Sequence, residues 1–163
     1  MTQLSGLLRS SLSTGRLTLT PLEEELRIVR DYLGLETIRF EERLRSDFDI
    51  DPKSLDFPVP PLMIQTLVEN GIKHGISQLT RGGLIQVVTR LNNDRLIIRI
   101  RNSGQYTRDV RPHTGGLGLD NTRQRLHLIY GSEASFTIRT ENNNFVLTEI
   151  EIPYVHAQRT AEA

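Results

Sequence analysis

Leucines at positions 4, 7, 8 and 12 recur at helical spacing until Gly15 interrupts them, which predicts a first helix over residues 4–13. A longer stripe follows. Thr20-Pro21-Leu22-Glu23 has the form of a capping box with proline in the first turn, and Leu22, Leu26, Val29, Leu33, Glu36 and Phe40 mark an amphipathic helix reaching about residue 43. Its acidic residues gather near the start, where the helix dipole favours them. The period then shortens to two: Phe48 and Ile50 alternate with aspartates and predict a strand, and Asp51-Pro52-Lys53-Ser54 a turn. After Pro58-Val59-Pro60-Pro61, the apolar set Leu62, Met63, Ile64, Leu67, Val68 and Ile72 predicts a helix with a proline start and a glycine stop at Gly75. Strands are expected around 84–90 and 95–101, joined by Asn92-Asn93-Asp94. A polar loop at 105–114 leads to a helix at 119–130, and a last pair of strands meets at Asn142-Asn143-Asn144. Residues 154–163 read as a frayed tail. Hairpins separated by single helices predict an α+β fold, a two-layer sandwich of helices on one face of a mostly antiparallel mixed sheet.

Composition narrows the classes without choosing among them. A chain of 163 residues buries a sound core, and 37% hydrophobic with 25% charged residues is ordinary for a globular domain. No run approaches the roughly twenty apolar residues of a membrane span. The formal net charge is zero, so neither nucleic acid nor direct membrane contact is expected of a chain with this balance. With no cysteine, disulfides, zinc-thiolate sites and thiol catalysis drop out together. A reducing cytoplasm suits such a chain, and no secretory leader is expected behind Met1-Thr2-Gln3. Only two lysines occur, Lys53 and Lys73, and the second stands in the most polar part of an otherwise apolar helix.

That helix carries the candidate chemistry. Leu67-Val68-Glu69-Asn70-Gly71-Ile72-Lys73-His74-Gly75 strings a carboxylate, a carboxamide, an ammonium and an imidazole along two turns. Met63, Leu67, Asn70 and His74 share one side, so Asn70 and His74 are expected to continue an apolar stripe. Two readings fit: a surface Glu69–Lys73 ion pair with Asn70 and His74 as satisfied core polars, or a reactive cluster. Downstream, Asn102-Ser103-Gly104 ends a predicted strand, and Thr114-Gly115-Gly116-Leu117-Gly118-Leu119-Asp120-Asn121 opens a helix. Glycines at a helix start let backbone amides approach a phosphate.

The ordered set, Glu-Asn-x-x-Lys-His, then Asn-x-Gly, then Gly-Leu-Gly-Leu-x-Asn-x-x-x-Arg-Leu, resembles the ATP-binding domain shared by histidine kinases, gyrase B, MutL and the heat-shock chaperone ATPases. Within that superfamily the helix motif, residues 116–126 and Tyr130-Gly131 look most like LytS-type sensor histidine kinases. The resemblance extends to the front of the chain, through Leu4-Ser5-Gly6-Leu7-Leu8, Leu19-Thr20-Pro21-Leu22-Glu23-Glu24-Glu25-Leu26, Tyr32-Leu33-Gly34-Leu35-Glu36 and Arg39-Phe40. It implies the Bergerat-type ATP-binding fold, with residues 1–45 as the end of the dimerisation and phosphoacceptor region, 46–155 as the catalytic domain and 156–163 as a flexible tail. The family's phosphoacceptor lies in a His-Phe-Leu-Phe-Asn type motif upstream; the histidines here are His74, His113, His127 and His156. The resemblance therefore implies the cytoplasmic catalytic fragment of a bacterial inner-membrane kinase that does not autophosphorylate alone.

What it implies residue by residue is as follows. Asn70 would hold magnesium through its carbonyl oxygen and bridge the phosphates of ATP. Glu69 would polarise the attacking imidazole or orient a metal-bound water, unless it is only an ion-pair partner of Lys73. Lys73 and His74 would neutralise phosphate charge in the transition state, His74 being equally readable as a structural histidine. Gly116 and Gly118 would give close backbone approach, Gly104 would belong to the ATP-binding set, and Leu117 and Leu119 would pack under the nucleotide. Asn102 stands where the superfamily has an aspartate for the adenine amino group; an amide oxygen still accepts that bond, without charge assistance. Tyr106 replaces the next glycine, and the lid is short. Expected partners are the phosphoacceptor domain of the same kinase, a LytTR-type response regulator and a second copy in the full-length dimer. The competing classes are a degenerate nucleotide-binding or dimerisation module, and a stand-alone serine kinase that binds a sigma factor.

Overall fold

A computed structural model describes residues 16–104, 116–155 and 158–160; the predicted first helix and the loop at 105–114 lie outside the described residues. In chain order the elements are β1 (Arg16–Thr18), β2 (Thr20–Pro21), α1 (Leu22–Arg39), β3 (Leu44–Ile50), β4 (Pro58–Val59), α2 (Met63–His74), β5 (Gly83–Asn92), β6 (Arg95–Ser103), α3 (Gly116–Tyr130), β7 (Ser135–Glu141), β8 (Phe145–Pro153) and β9 (Gln158–Thr160), with short 3-10 turns between some of them. Five strands form one sheet in the order β3-β5-β6-β8-β7. β3 runs parallel to β5 and the other neighbours are antiparallel.

β6 shows how the sequence builds two layers. Leu96, Ile98, Ile100 and Asn102 are buried, while Arg95, Ile97, Arg99, Arg101 and Ser103 alternate toward the open face. Across that open face Arg95 reaches Glu151 at 2.8 Å, Arg99 reaches Glu149 at 2.7 Å and Arg101 reaches Glu141 at 2.9 Å. The dry face takes the helices. Leu22, Leu26, Val29 and Leu33 of α1, Ile64, Leu67, Val68 and Ile72 of α2, and Leu126 and Tyr130 of α3 join Ile85, Val87, Ile98 and Ile150 in one apolar cluster. This is the predicted α+β sandwich.

Local expectations are corrected at four places. α1 starts at the N-cap Pro21 with no side-chain cap, because Thr20 is drawn into the β2–β4 pair opposite Val59. It ends at Arg39, since Glu41 and Glu42 take left-handed φ angles of 54° and 68° and turn the chain toward the sheet. β3 begins at Leu44, four residues before Phe48; the intervening side chains are exposed and show no alternation, and the strand is held by its parallel register on β5, from Leu44↔Gly83 to Ile50↔Thr89. Residues 158–160, expected in a frayed tail, pair antiparallel with β1, whose unpaired backbone groups they satisfy.

Candidate functional site

α2 is the axis of the site. Its buried face is centred on Ile64, Val68, Gly71 and Gly75, which puts Asn70 half-buried on the flank and leaves Lys73 and His74 exposed. His74 is thus not a satisfied core polar, because the stripe through Met63 and Leu67 is covered only near the helix start. Glu69, half-buried, accepts a hydrogen bond from Gln65 Nε2 at 3.0 Å and, among the described residues, makes no ion pair with Lys73. The carboxylate is oriented from one turn earlier instead.

Two glycines bring α2 against the end of β6. A methyl group on Gly71 would stand 3.0 Å from Asn102 Oδ1, and one on Gly75 would stand 2.4 Å from Asn102 Nδ2 and 2.6 Å from the Gly71 carbonyl oxygen. Any side chain at Gly75 would therefore displace backbone. Asn102 occupies the last inward position of β6 and is 5% exposed. Its Nδ2 donates to the Ser103 carbonyl at 3.1 Å, and Ser103 Oγ accepts from the Leu84 amide at 2.9 Å, which pins the strand end. Gly104 follows with φ of 129°, a backbone region closed to most side chains, and its amide donates to the Asn144 carbonyl at 2.9 Å.

α3 closes the third side. Gly116 opens the helix, and a methyl group on Gly118 would lie 2.8 Å from Asn70 Nδ2, so the amide of Asn70 packs against the first turn of α3. That Nδ2 is buried with no hydrogen-bond partner among the described residues. A buried donor without an acceptor costs about 1–3 kcal/mol, and such groups in a native fold ask for an explanation. The Thr122 hydroxyl donates to the Gly118 carbonyl at 2.9 Å, and Leu119 is partly buried against the core. The side chains of Leu117 and Tyr106 lie outside the described residues.

Asn70, the strand end Asn102-Ser103-Gly104, and Gly118, three segments far apart in sequence, thus come together at one end of the sheet, with Glu69, Lys73 and His74 beside them on α2. The arrangement offers a hydrogen-bonding floor, an oxygen-ligand amide, an oriented carboxylate and two exposed cationic or ionisable side chains. Three further residues build it. Gly71 and Gly75, four apart on the inward face, carry a signal readable as close packing. Glu25 of α1, fully buried, accepts from the α2 amides of Leu62 at 2.9 Å and Ile64 at 3.1 Å. Its signal was its place on the stripe between Leu22 and Leu26. Burial pushes the Glu25 carboxyl above its ordinary range, against the pull of these amides and of Arg125 on α3.

The histidine kinase family model matches residues 1–44. Sensor protein LytS of Staphylococcus haemolyticus is 35% identical over 144 residues, which make up 82% of this chain and 25% of that protein. The chain spans about a quarter of the length of the curated relatives it matches. Among solved structures, the catalytic domain of the histidine kinase ThkA has a TM-score of 0.65 at 20% identity, covering 84% of this chain and 95% of that one. ThkA in complex with the response regulator protein TrrA has a TM-score of 0.62 at 18% identity, covering 94% and 48%. Full-length ShkA in complex with AMPPNP has a TM-score of 0.61 at 17% identity, covering 89% and 34%. At these identities the structural likeness is one of fold.

Proposed function

We propose, for a chain that belongs to the LytS-type sensor histidine kinases, that it is the ATP-binding catalytic region, passing the γ-phosphate of ATP to a histidine on an upstream domain and from there to a response regulator. The observation that carries this reading is the convergence of Asn70, Asn102 and Gly118 from α2, β6 and α3 at one end of the sheet. Residues 1–45 would be the end of the dimerisation and phosphoacceptor region, and the full-length protein a dimeric inner-membrane kinase with this part in the cytoplasm. The regulator would be of the LytTR type. No helix of the described residues is long and apolar enough to cross a membrane.

The donors present fit magnesium with ATP. Among the described residues no cluster of three or more carboxylates or histidines could hold a metal ion, but magnesium on a nucleotide needs only one or two protein oxygens beside the phosphates and its waters. Asn70 supplies an amide oxygen, its nitrogen being turned to Gly118. Bound magnesium would neutralise phosphate charge. Asn102 would accept from the adenine amino group, and the backbone at Gly104, Gly116 and Gly118 would lie close to the nucleotide. Lys73 and His74 would balance charge on the γ-phosphoryl oxygens. In the transfer, the imidazole nitrogen bonds to the γ-phosphorus, the bond to the β–γ bridging oxygen breaks, and ADP leaves with the electron pair. Glu69, held by Gln65, would take the imidazole proton.

The test supplies an excised histidine-bearing domain of the same kinase with labelled ATP. Label should appear on that domain only, stable in base and lost in acid, and Asn70→Asp should reduce transfer at least about tenfold by placing a charge beside the phosphates. Stable labelling of this chain alone would overturn the fragment reading. A second reading, a degenerate module that binds nucleotide without transfer, is favoured by one observation: the amide of Asn102 is engaged with Ser103 in its own fold. Nucleotide binding without any transfer would select it.

A further inference from the structure

Two helices meet at one buried carboxylate, and a third carries an arginine that acts on its charge. Glu25 is fully buried on α1, and its oxygens accept from the backbone amides of Leu62 at 2.9 Å, Ile64 at 3.1 Å and Gln65 at 3.4 Å. These are donors that the start of α2 leaves without partners inside the helix. A helix ordinarily caps itself with the side chain at its N-cap. Here that residue is Leu62, held at φ 65° with no side-chain bond, and the preceding Pro60 and Pro61 cannot help. The cap comes instead from another helix. From α3, Arg125 lies within electrostatic reach of Glu25 and is itself brought down to about 10 by burial, while the Tyr130 hydroxyl is buried with no described partner.

The first turn of α2 then leads to the site. Gln65 is bonded to Glu25 through its backbone amide and to Glu69 through its side chain, so two hydrogen bonds separate a carboxylate on α1 from the carboxylate beside Asn70. We propose that Glu25 is a positioning residue for phosphoryl transfer, tying the start of α2, and through Gln65 the carboxylate of Glu69, to the place of α1. This rests on the reading of Glu69 and Asn70 given above. A cap of α2's own would hold α2 wherever α1 stood; a cap supplied by α1 makes the order of α2 conditional on α1. A shift of α1 withdraws two acceptor oxygens from three amides at once. The segment of the chain matched to the histidine kinase family model, residues 1–44, contains α1, so whatever moves that segment acts on Glu69 through this bond.

The test compares wild type, Glu25→Gln, Glu25→Asp, Gln65→Ala and Leu26→Ala, the last a buried neighbour on α1 with no polar role. Transfer to the histidine-bearing domain is measured per folded molecule, with nucleotide affinity by calorimetry and amide hydrogen exchange at Leu62, Ile64 and Gln65. Glu25→Gln keeps one acceptor and turns an NH₂ group toward a backbone donor. It should lower the turnover of transfer about tenfold while nucleotide affinity stays within about threefold, as a misplaced reacting group does. Exchange at the three amides should quicken, Glu25→Asp should recover part of the turnover, and Leu26→Ala should lower the melting temperature without changing turnover per folded molecule. Should Glu25→Gln not fold, Gln65→Ala decides: it keeps the backbone cap and breaks only the link to Glu69, and turnover should still fall. Wild-type turnover in Glu25→Gln or in Gln65→Ala, or an equal loss in Leu26→Ala, overturns the proposal. Absence of transfer in wild type would instead overturn the function, and the exchange measurement would still show whether Glu25 orders α2.

Discussion

The two ends of α2 are built on opposite principles. At its start, backbone donors are buried and met by a carboxylate brought from another helix. At its end, Lys73 and His74 stand in solvent, and Asn70 Nδ2 is buried with no acceptor among the described residues. The backbone donors of the start are met, while one atom each of the Gln65 and Asn70 side-chain amides is buried with no partner among the described residues. The difference separates polar groups that hold the fold from polar groups left open for something that is not part of the chain, and burial alone would not separate them, since Glu25 and Asn102 are both buried.

The comparison breaks most sharply at Glu25. Glu25→Ala strands three amides beside an apolar core, and the free energy of unfolding in urea should fall by on the order of 3 kcal/mol, since each buried unpaired donor costs about 1–3 kcal/mol and water reaches some of them. A loss under about 0.5 kcal/mol, the scale of an indifferent surface change, would show that the cap is decorative.

At the open end, Asn102→Asp sharpens the contrast. The carboxylate should tighten nucleotide binding by about 1 kcal/mol through a charge-assisted bond to the adenine amino group. It also replaces the amide that donates to the Ser103 carbonyl, so stability without nucleotide should fall by a similar, roughly 1 kcal/mol amount. Calorimetry and thermal melts on the same variant should move in opposite directions; parallel movement would mean that Asn102 is structural only.

The smallest effect is on pH dependence. The Glu25 carboxyl lies above its ordinary range because of burial, despite the three amides and Arg125. A raised carboxyl favours the protonated form in the folded state, so its contribution to stability is complete below the unfolded value and declines as pH rises through the folded one. Measured against Glu25→Gln, whose side chain does not titrate, wild-type stability should therefore decline on going from acid toward neutral pH. Arg125, the charged group of α3 that acts on Glu25, keeps its charge across that window, and so does its neighbour Tyr130, pushed upward by burial. A rising difference would mean that the amides outweigh desolvation.

Much of the site was legible in the order of its residues. Spacing along one helix gathered Glu69, Asn70, Lys73 and His74, and Asn102 and Gly118 joined them through the resemblance of the ordered motifs to the histidine kinase ATP-binding domain. Alternation along β5 and β6 was equally plain, since each strand has one dry face. Long-range bonds were not legible. Nothing local distinguishes Glu25 from Glu23 and Glu24 except its place on the apolar stripe, and its partners lie on another helix. The solvent-facing front half of β3 carries no period to read, and the pairing of β1 with β9 joins opposite ends of the chain.

The parallel seam between β3 and β5 also sets an order of assembly. β5 and β6 are joined by a tight turn at Asn93-Asp94 and find each other locally, whereas Leu44 of β3 waits for Gly83 of β5, with all of α2 made in between. During synthesis β3 leaves the ribosome before β5, the strand it pairs with, and α2 gains its floor only when β6 is complete. The parallel seam is thus the long-range step of the sheet, and the β5–β6 hairpin the local one.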